Sequence, residues 1–521
     1  MGGLRLILVF RYLRLLLPFL TLLSTAGCSS SSSQEPTQEF DARPSYHFSA
    51  PANWMNDPNG LLQLAGEYHL FYQYNPSQNV WGFIHWGHAV STDLVHWNDL
   101  PVVLAPDPLL GMPFSGSTVV DSQGTSGLCP PAAPSCVVAV FTHSGARQVQ
   151  SIAVSDDRAR TFRLYGSNPV LPNPGATDFR DPKVFFYAPA DRWIMVLAVG
   201  DRIQLFGSVT LRSWTLLSEI GPLESLRGGV LECPDLFEAP VANEPGVTRW
   251  ILKVDTNPGG RYGGSGSRYL VGDFDGTRFA PLTPDAQWVD FGADFYAAAS
   301  FANMDPDGGR HLWLAWMNNW AYAASLPTGS WRGAMTLPRE VGLLRTSDGR
   351  YQLTQRPPAE LQTLRQGGPL LDLGDHPIGN PCPLLDDVSG DALEIDLAFE
   401  PGTAKEVGLL LRRGPGQETR IGYDADRGTV FVDRAASGYV GLRDTLPARH
   451  DAPLSPDASG AISLTLFLDR SSIEVFSLDG RVAITDLILA SAGSRGARLY
   501  AEAGTARLRR LQAWTLHRVL R

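Results

Sequence analysis

The sequence predicts an all-β chain in two parts, a block sized for a β-propeller of about five blades followed by a β-sandwich. Three observations predict it. Nearly every readable segment is a short aromatic and β-branched run bounded by Gly, Asp, Asn or Pro. No convincing long apolar repeat of helical period occurs between about residues 45 and 350. A Pro- and Gln-rich stretch, LTQRPPAELQTLRQGGP (353–369), then separates this block from one whose strands alternate apolar and polar residues.

The N-terminus reads as an export signal over residues 1–27. Arg5, Arg11 and Arg14 precede an apolar core from Leu15 to Leu23, which falls well short of the roughly 20 residues a membrane span needs. Thr25-Ala26-Gly27-Cys28 resembles a bacterial lipobox, with Thr25 where leucine is usual, so Cys28 is expected to carry lipid. An ordinary cleaved signal with an incidental cysteine is the plainer alternative. Residues 28–42, opening with Ser29 to Ser33, suit a polar tether. The expectation is an exported bacterial cell-envelope lipoprotein that touches membrane only through Cys28, or otherwise a secreted protein.

With 521 residues the chain is too long for one ordinary domain, and 44% hydrophobic with 18% charged residues is a globular composition. A net charge of −10 argues against a nucleic-acid partner. Oligomeric state leaves no signature.

The first block, residues 43–355, contains strand-like runs at 68–74, 136–143, 192–200, 249–255, 268–274 and 311–317. Such a run of strands suits a propeller, barrel or sandwich. About 300 residues is large for one sandwich, but fits about five blades of ~40–50 residues. The second block, 370–521, has strand-like runs at 392–400, 406–413, 429–434, 461–476 and 497–503.

Three acids share a setting. Asp57 lies in WMNDPNG, Asp181 in FRDPKVF and Glu232 in LECPDLF, each one or two residues before a proline. A residue before proline is held extended, and proline in a sheet favours a strand start or edge. A lone Asp-Pro is usually just a turn. Three of them amid apolar and aromatic residues must be paired, hydrogen-bonded or functional. Paired carboxylates among tryptophans are what glycoside hydrolysis needs: one acid protonates the leaving oxygen, the other attacks or stabilises the cationic carbon. Trp54, Trp81, Trp86, Trp320 and Trp331 could offer flat surface to sugar rings, whereas Trp97, Trp193, Trp214, Trp313 and Trp514 read as core.

Further motifs run in order along the chain: FYQYNP (71–76), WGHAVSTDLVHW (86–97), FSGS (114–117), GGSGSRYLVGDFDG (263–276), DFYAA (294–298), WMNNWAYAASLPTGSWRGAMTLPRE (316–340) and LDRSSIEVF (468–476). With the three acid motifs they resemble glycoside hydrolase family 32, the β-fructosidases, which comprise invertases, inulinases and levanases. The resemblance implies a five-bladed β-propeller carrying the site, then a β-sandwich. It implies retaining hydrolysis of terminal fructose from levan, inulin or sucrose, with Asp57 as nucleophile, Glu232 as acid/base and Asp181 holding fructose hydroxyls. Asn56, Gln73, Trp81, Phe114, Ser115, Arg180 and Trp320 match pocket positions, joined by Trp54. Asp294 and Tyr296 match a second tier near the acid/base. The 316–340 stretch looks more like exo-acting levanases and exo-inulinases than plant or yeast invertases.

Chemistry adds its own expectations. Retention places the two carboxyls only ~5–5.5 Å apart. Glu232 needs a raised pKa, from an apolar setting and nearby carboxylates. Arg180 is expected to lower that of Asp181. A sucrose-directed invertase or a fructosyltransferase would share all three acids, and a non-catalytic glycan binder would have lost one. No cofactor or metal is expected. His85, His88 and His96 lack a matching ligand set, GDFDG (272–276) and DPDGG (305–309) read as tight turns, and the Gly-rich 259–267 reads as a loop. Cys129 and Cys136 flank a Pro-rich loop and could close a short disulfide in an oxidising compartment.

Overall fold

Short strands that pair with their chain neighbours across tight turns build sheets in sequence order, and this local rule dominates the chain. The computed structural model describes residues 43–130, 135–304, 310–380, 382–438, 446 and 448–519. The expected signal of residues 1–27, Cys28, the tether to residue 42 and the turn at 305–309 lie outside them.

Five antiparallel sheets come first. The innermost strands are Asn53–Leu64, Met112–Asp121, Arg180–Tyr187, Val230–Pro240 and Tyr296–Ser300. Each carries its blade outward through successive neighbours: the third blade, for example, runs Arg180–Tyr187, Arg192–Val199, Arg202–Ser208, Thr215–Ile220. Each inner strand touches the next, and the fifth touches the first, so the ring closes. A late segment helps to seal it: Trp331–Arg332 pairs parallel with Asn53 and Trp54 of the first blade. Between blades pack buried apolar side chains such as Val138, Met195 and Leu197, or Leu236, Leu252 and Leu270. Burying each such side chain is worth about 1.5–3 kcal/mol.

The remaining strands form two packed sheets. One holds Leu393–Glu400, Ile462–Asp469, Ser472–Ser477, Ala483–Leu487 and Ala506–Thr515, edged by Leu371–Leu373 and His376–Ile378. The other holds Glu406–Gly414, Gln417–Asp424, Thr429–Asp433, Arg449–Pro453 and Gly496–Glu502. Their inner faces share one core that includes Phe399, Leu409, Leu466 and Leu508. The run read as one segment at 461–476 is two strands turning at Arg470 and Ser471. The fold is therefore an all-β propeller followed by a β-sandwich, and its helical pieces among the described residues are short 3₁₀ turns.

The sandwich grips the propeller along residues 290–294, directly before the fifth inner strand. Phe291 N–H donates to Ala483 O (2.9 Å) and Asp294 N–H to Thr485 O (3.1 Å). A side chain at Gly292 would meet Thr485 O at 2.1 Å, so only glycine permits this approach. Beneath, Arg339 is wholly buried and donates to Asp290 (2.9 Å), Gln355 (2.9 Å) and Glu474 (2.6 Å). His47 bridges Asp469 and Glu474, both at 2.9 Å.

Candidate active site

All five inner strands are bulged at one level. The pairing register shifts between Met55 and Pro58, between Pro113 and Gly116, opposite Arg180 to Lys183, between Glu232 and Asp235, and between Tyr296 and Ala299. A bulge leaves a residue out of the ladder and re-aims its side chain. Asp57, Ser115, Asp181, Cys233 and Ala297 fall inside these five intervals. Proline fits here because a bulge residue needs no ladder N–H. The expectation of an extended residue before proline fails at two of the sites. Asp181 has φ +64° and Cys233 φ +43°, both left-handed, which costs about 1–3 kcal/mol each and marks a position held by its surroundings.

The bulges bring the three acids together. Asp57 accepts from Ser115 Oγ (2.7 Å), Gln73 Nε2 (3.2 Å) and Asn56 Nδ2 (2.9 Å). Asn56 is itself fixed by Trp54 Nε1 (2.7 Å) and by Gln73 (3.0 Å). Cys233 Sγ lies 3.7 Å from an oxygen of Asp57 and 3.7 Å from one of Asp181, and its backbone N–H donates to Asp181 at 3.0 Å. Arg180 donates to Glu232 from Nη2 (2.9 Å) and Nε (3.2 Å). The Tyr296 hydroxyl donates to the other Glu232 oxygen.

Burial pushes the Glu232 carboxyl above its ordinary range. Arg180 and the Tyr296 hydroxyl oppose this, and Asp57 adds to it. Asp181 is pushed up to about 7, again chiefly by burial, against Arg180 and with help from Glu232 and Asp57. Arg180 does lower it, as expected, but burial outweighs that and the net shift is upward. The guanidinium is spent on Glu232 and Asp178, and its nearest approach to Asp181 is 3.9 Å. Desolvation of a fully enclosed carboxylate outweighs a counter-charge at that range.

Below the acids the axis holds a cavity of about 30 Å³ lined by Asp181, Lys183, Cys233 and Asp235. It is too small for a sugar ring. Of the aromatics expected to line the pocket, those accessible are Trp81, 46% exposed, with Phe114 edge-on to it at 6.1 Å, and the partly exposed Trp320. Trp54 is fully buried and stacks on Trp320 at 5.8 Å, so it supports the pocket wall without facing a ligand. Trp86 and Trp331 are buried as well.

Asp294 is a second correction. It is fully buried and turned to the sandwich, where it accepts from Tyr322 OH (2.5 Å), Arg434 Nη1 (2.6 Å) and Leu487 N–H (2.8 Å). Only Tyr296 of that pair reaches the acids. The sequence reading also missed Lys253 and Asp255, a fully buried pair at 2.8 Å whose ammonium donates to Cys233 O (2.7 Å). A lysine inside the apolar strand RWILKVD was the available signal. Asp178 and Gln148, which hold Arg180, carry no motif.

The histidines diverge. His88 stacks on Phe71, His85 engages Phe83 O, and His96 engages Asp93. Cys129 and Cys136 are joined by a disulfide beside Asp121.

The chain matches the glycosyl hydrolases family 32 N-terminal domain over residues 47–357 and the family 32 C-terminal domain over residues 353–515. This protein belongs to glycosyl hydrolase family 32. It is 46% identical over 506 residues to a levanase of Bacillus subtilis (strain 168), covering 96% of this chain and 74% of that one. It is 37% identical over 502 residues to an extracellular exo-inulinase of Aspergillus awamori, covering 89% and 92%. The crystal structure of exo-inulinase from Aspergillus awamori superposes with a TM-score of 0.86 at 35% identity, over 92% of this chain and 99% of that one. The family 32 chain is a glycoside hydrolase, and its clustered acids lie in the propeller.

Proposed function

We propose that this glycoside hydrolase releases terminal fructose from fructans, levan or inulin, and also cleaves sucrose, with retention. The observation that carries the reading is the division of labour among three neighbouring carboxyls. Asp57 has three donors aimed at it, while Glu232 is held above its ordinary range. One acid is arranged to attack and the other to give a proton.

In the first step Glu232 protonates the glycosidic oxygen while the Asp57 carboxylate attacks the anomeric carbon. The bond to the leaving sugar breaks and a fructosyl ester forms on Asp57. Glu232, now ionised, takes a proton from water, whose oxygen attacks the same carbon and frees Asp57 and fructose. Asp181 holds fructose hydroxyls. Asn56, Gln73, Ser115 and Arg180 fix the acids, and Trp81, Phe114 and Trp320 line the ring's path. Trp54 backs Trp320.

The names of the levanase and exo-inulinase relatives support fructan as substrate. The narrow axis beneath the acids supports attack at a chain end. The protein is exported, with Cys28 as a lipid anchor at the cell envelope and residues 28–42 as its tether.

Levan, inulin and sucrose supplied separately, with products followed by chromatography, test this. Fructose alone from the polymers is expected. Oligosaccharides from the polymers would contradict chain-end attack, and products larger than sucrose would make the enzyme a transferase.

A further inference from the structure

The loop joining the second and third strands of the first blade, residues 76–84, is held tightly and yet presents apolar side chains to solvent. Asn75 Oδ1 accepts from Ser77 and Gln78 N–H, at 3.0 and 3.2 Å, and Asn75 Nδ2 donates to Val80 O at 2.9 Å. Asn79 donates to Thr328 O (3.0 Å) and Gly329 O (2.7 Å). His85 Nδ1–H donates to Phe83 O at 2.8 Å. Val80, Trp81 and Phe83 are nevertheless 47%, 46% and 56% exposed.

Phe83 is the unusual member. Its φ is +49°, a left-handed conformation that is an outlier for a bulky residue. Its ring gains no core burial in exchange and sits edge-on to the His85 ring at 4.8 Å. Strain without a packing return, on a fixed loop, is the pattern of a ligand clamp.

The loop also stands at the catalytic end of its blade. It leaves the strand that carries Gln73, a donor to Asp57, and Trp54 pairs with Asn75 at its root. Trp81 meets Phe114, the neighbour of Ser115, and Ile84 packs with Trp54 and Tyr296.

We propose that Phe83 is an acceptor-side subsite, a platform for the C–H face of the second sugar ring beyond the leaving oxygen, continuing the surface begun by Trp81. The occupant is the remainder of a fructan chain. Sucrose offers one ring past the scissile bond, so the platform acts on polymer more than on sucrose. This rests on the fructan reading above.

The test compares kcat/KM on inulin, levan and sucrose for wild type, Phe83→Gly, Phe83→Tyr and Val209→Ser, an exposed apolar position on the third blade. Phe83→Gly is expected to lower kcat/KM on polymer about three- to tenfold more than on sucrose, the range of an aromatic contact. Phe83→Tyr restores the ratio, and Val209→Ser leaves it as in wild type. Because glycine accepts this φ, Tm of Phe83→Gly stays near wild type. An equal fall on both substrates, with a lower Tm, would make Phe83 a structural residue and overturn the platform. An unchanged ratio in an enzyme that cuts polymer overturns the platform alone. A wild type that leaves both polymers intact overturns the platform and the fructan reading together.

Discussion

Glu232 and Asp181 in the propeller axis, and Asp469 and Glu474 under the sandwich, are four carboxyls with opposite outcomes, Glu232 partly buried and the others buried. Burial raises the pKa of each. In the axis it wins, and both groups end above their ordinary range. Under the sandwich it loses, and both end below, through His47 and backbone N–H groups and, for Glu474, Arg339. Donor supply separates Asp469 from Asp181. Asp469 accepts from the N–H groups of Ser45, Tyr46, His47 and Arg470 and from the His47 ring. Asp181 has one backbone N–H, the Cys233 thiol and a distant guanidinium. Burial by itself therefore does not set the outcome; the balance of burial, donors and neighbouring charge does, and Glu232 ends raised although Arg180 and Tyr296 donate to it. Asp290 shows the balance from the other side, since burial still raises it although Arg339 and Thr485 both donate to it.

The largest effect that could break this comparison is chemical. Asp57→Asn and Glu232→Gln should each lower kcat at least about a thousandfold. Tm should hold, because each amide matches the carboxyl in shape and removes one charge from a crowded cluster of acids. A folded Glu232→Gln enzyme with near wild-type kcat removes Glu232 from the mechanism.

Under the sandwich the signs reverse. Arg339→Met strands Asp290 and Glu474 in the interior and should cost about 3–5 kcal/mol, read by thermal or denaturant unfolding. The acids of the site are untouched, so kcat of the folded fraction should stay close to wild type. A loss of kcat with unchanged stability would mean that the interface serves the chemistry more than the fold.

Stability against pH sharpens the same contrast. His47 is raised from 6.5 to about 9, because its hydrogen bonds to Asp469 and Glu474, with their negative charge, overcome burial. Its contribution is complete below about pH 6.5 and is lost as pH rises through about 9. Asp469 and Glu474, held low, contribute above their ordinary values near 4 and lose that contribution as pH falls through their lowered ones. Asp181 runs opposite: raised to about 7, it weighs against folding above that pH and is relieved on the way down. Tm measured from pH 6 to 10 should show an alkaline decline in wild type that His47→Gln flattens, from a lower starting Tm. Parallel declines in the two proteins would discard His47 as the cause.

The strands of the blades were legible because their composition and turn residues are local facts. The three acids were legible because proline follows each within two residues, yet the reason was read incompletely. The prolines sit at bulges inside strands, and the left-handed backbone at Asp181 and Cys233 depends on pairing with neighbouring strands that no local pattern encodes. Asp294 was misplaced because its motif also contains Tyr296; it lies just before the strand Tyr296–Ser300, outside its alternation, and faces Arg434 while Tyr296 reaches Glu232. Arg339, Arg434 and His47 meet partners more than a hundred residues away, so nothing beside them in the chain announces the contact.

Tyr296 joins the two regions and supports the finest test. Its hydroxyl donates to Glu232, and two residues earlier Asp294 is clamped by Arg434 of the sandwich. Burial and the adjacent carboxylates raise the tyrosine's own pKa well above the ordinary value, so it stays a donor across the working range. Donation favours the ionised form of Glu232 and holds its pKa down. Tyr296→Phe removes that donor, so the Glu232 pKa should rise further. The protonated acid then persists to higher pH, and the alkaline limb of kcat/KM on sucrose should move upward. The maximum should fall far less than in Glu232→Gln. A limb that stays in place would show that the hydroxyl does not favour ionised Glu232, and a limb that moves down would mean that it favours the neutral acid.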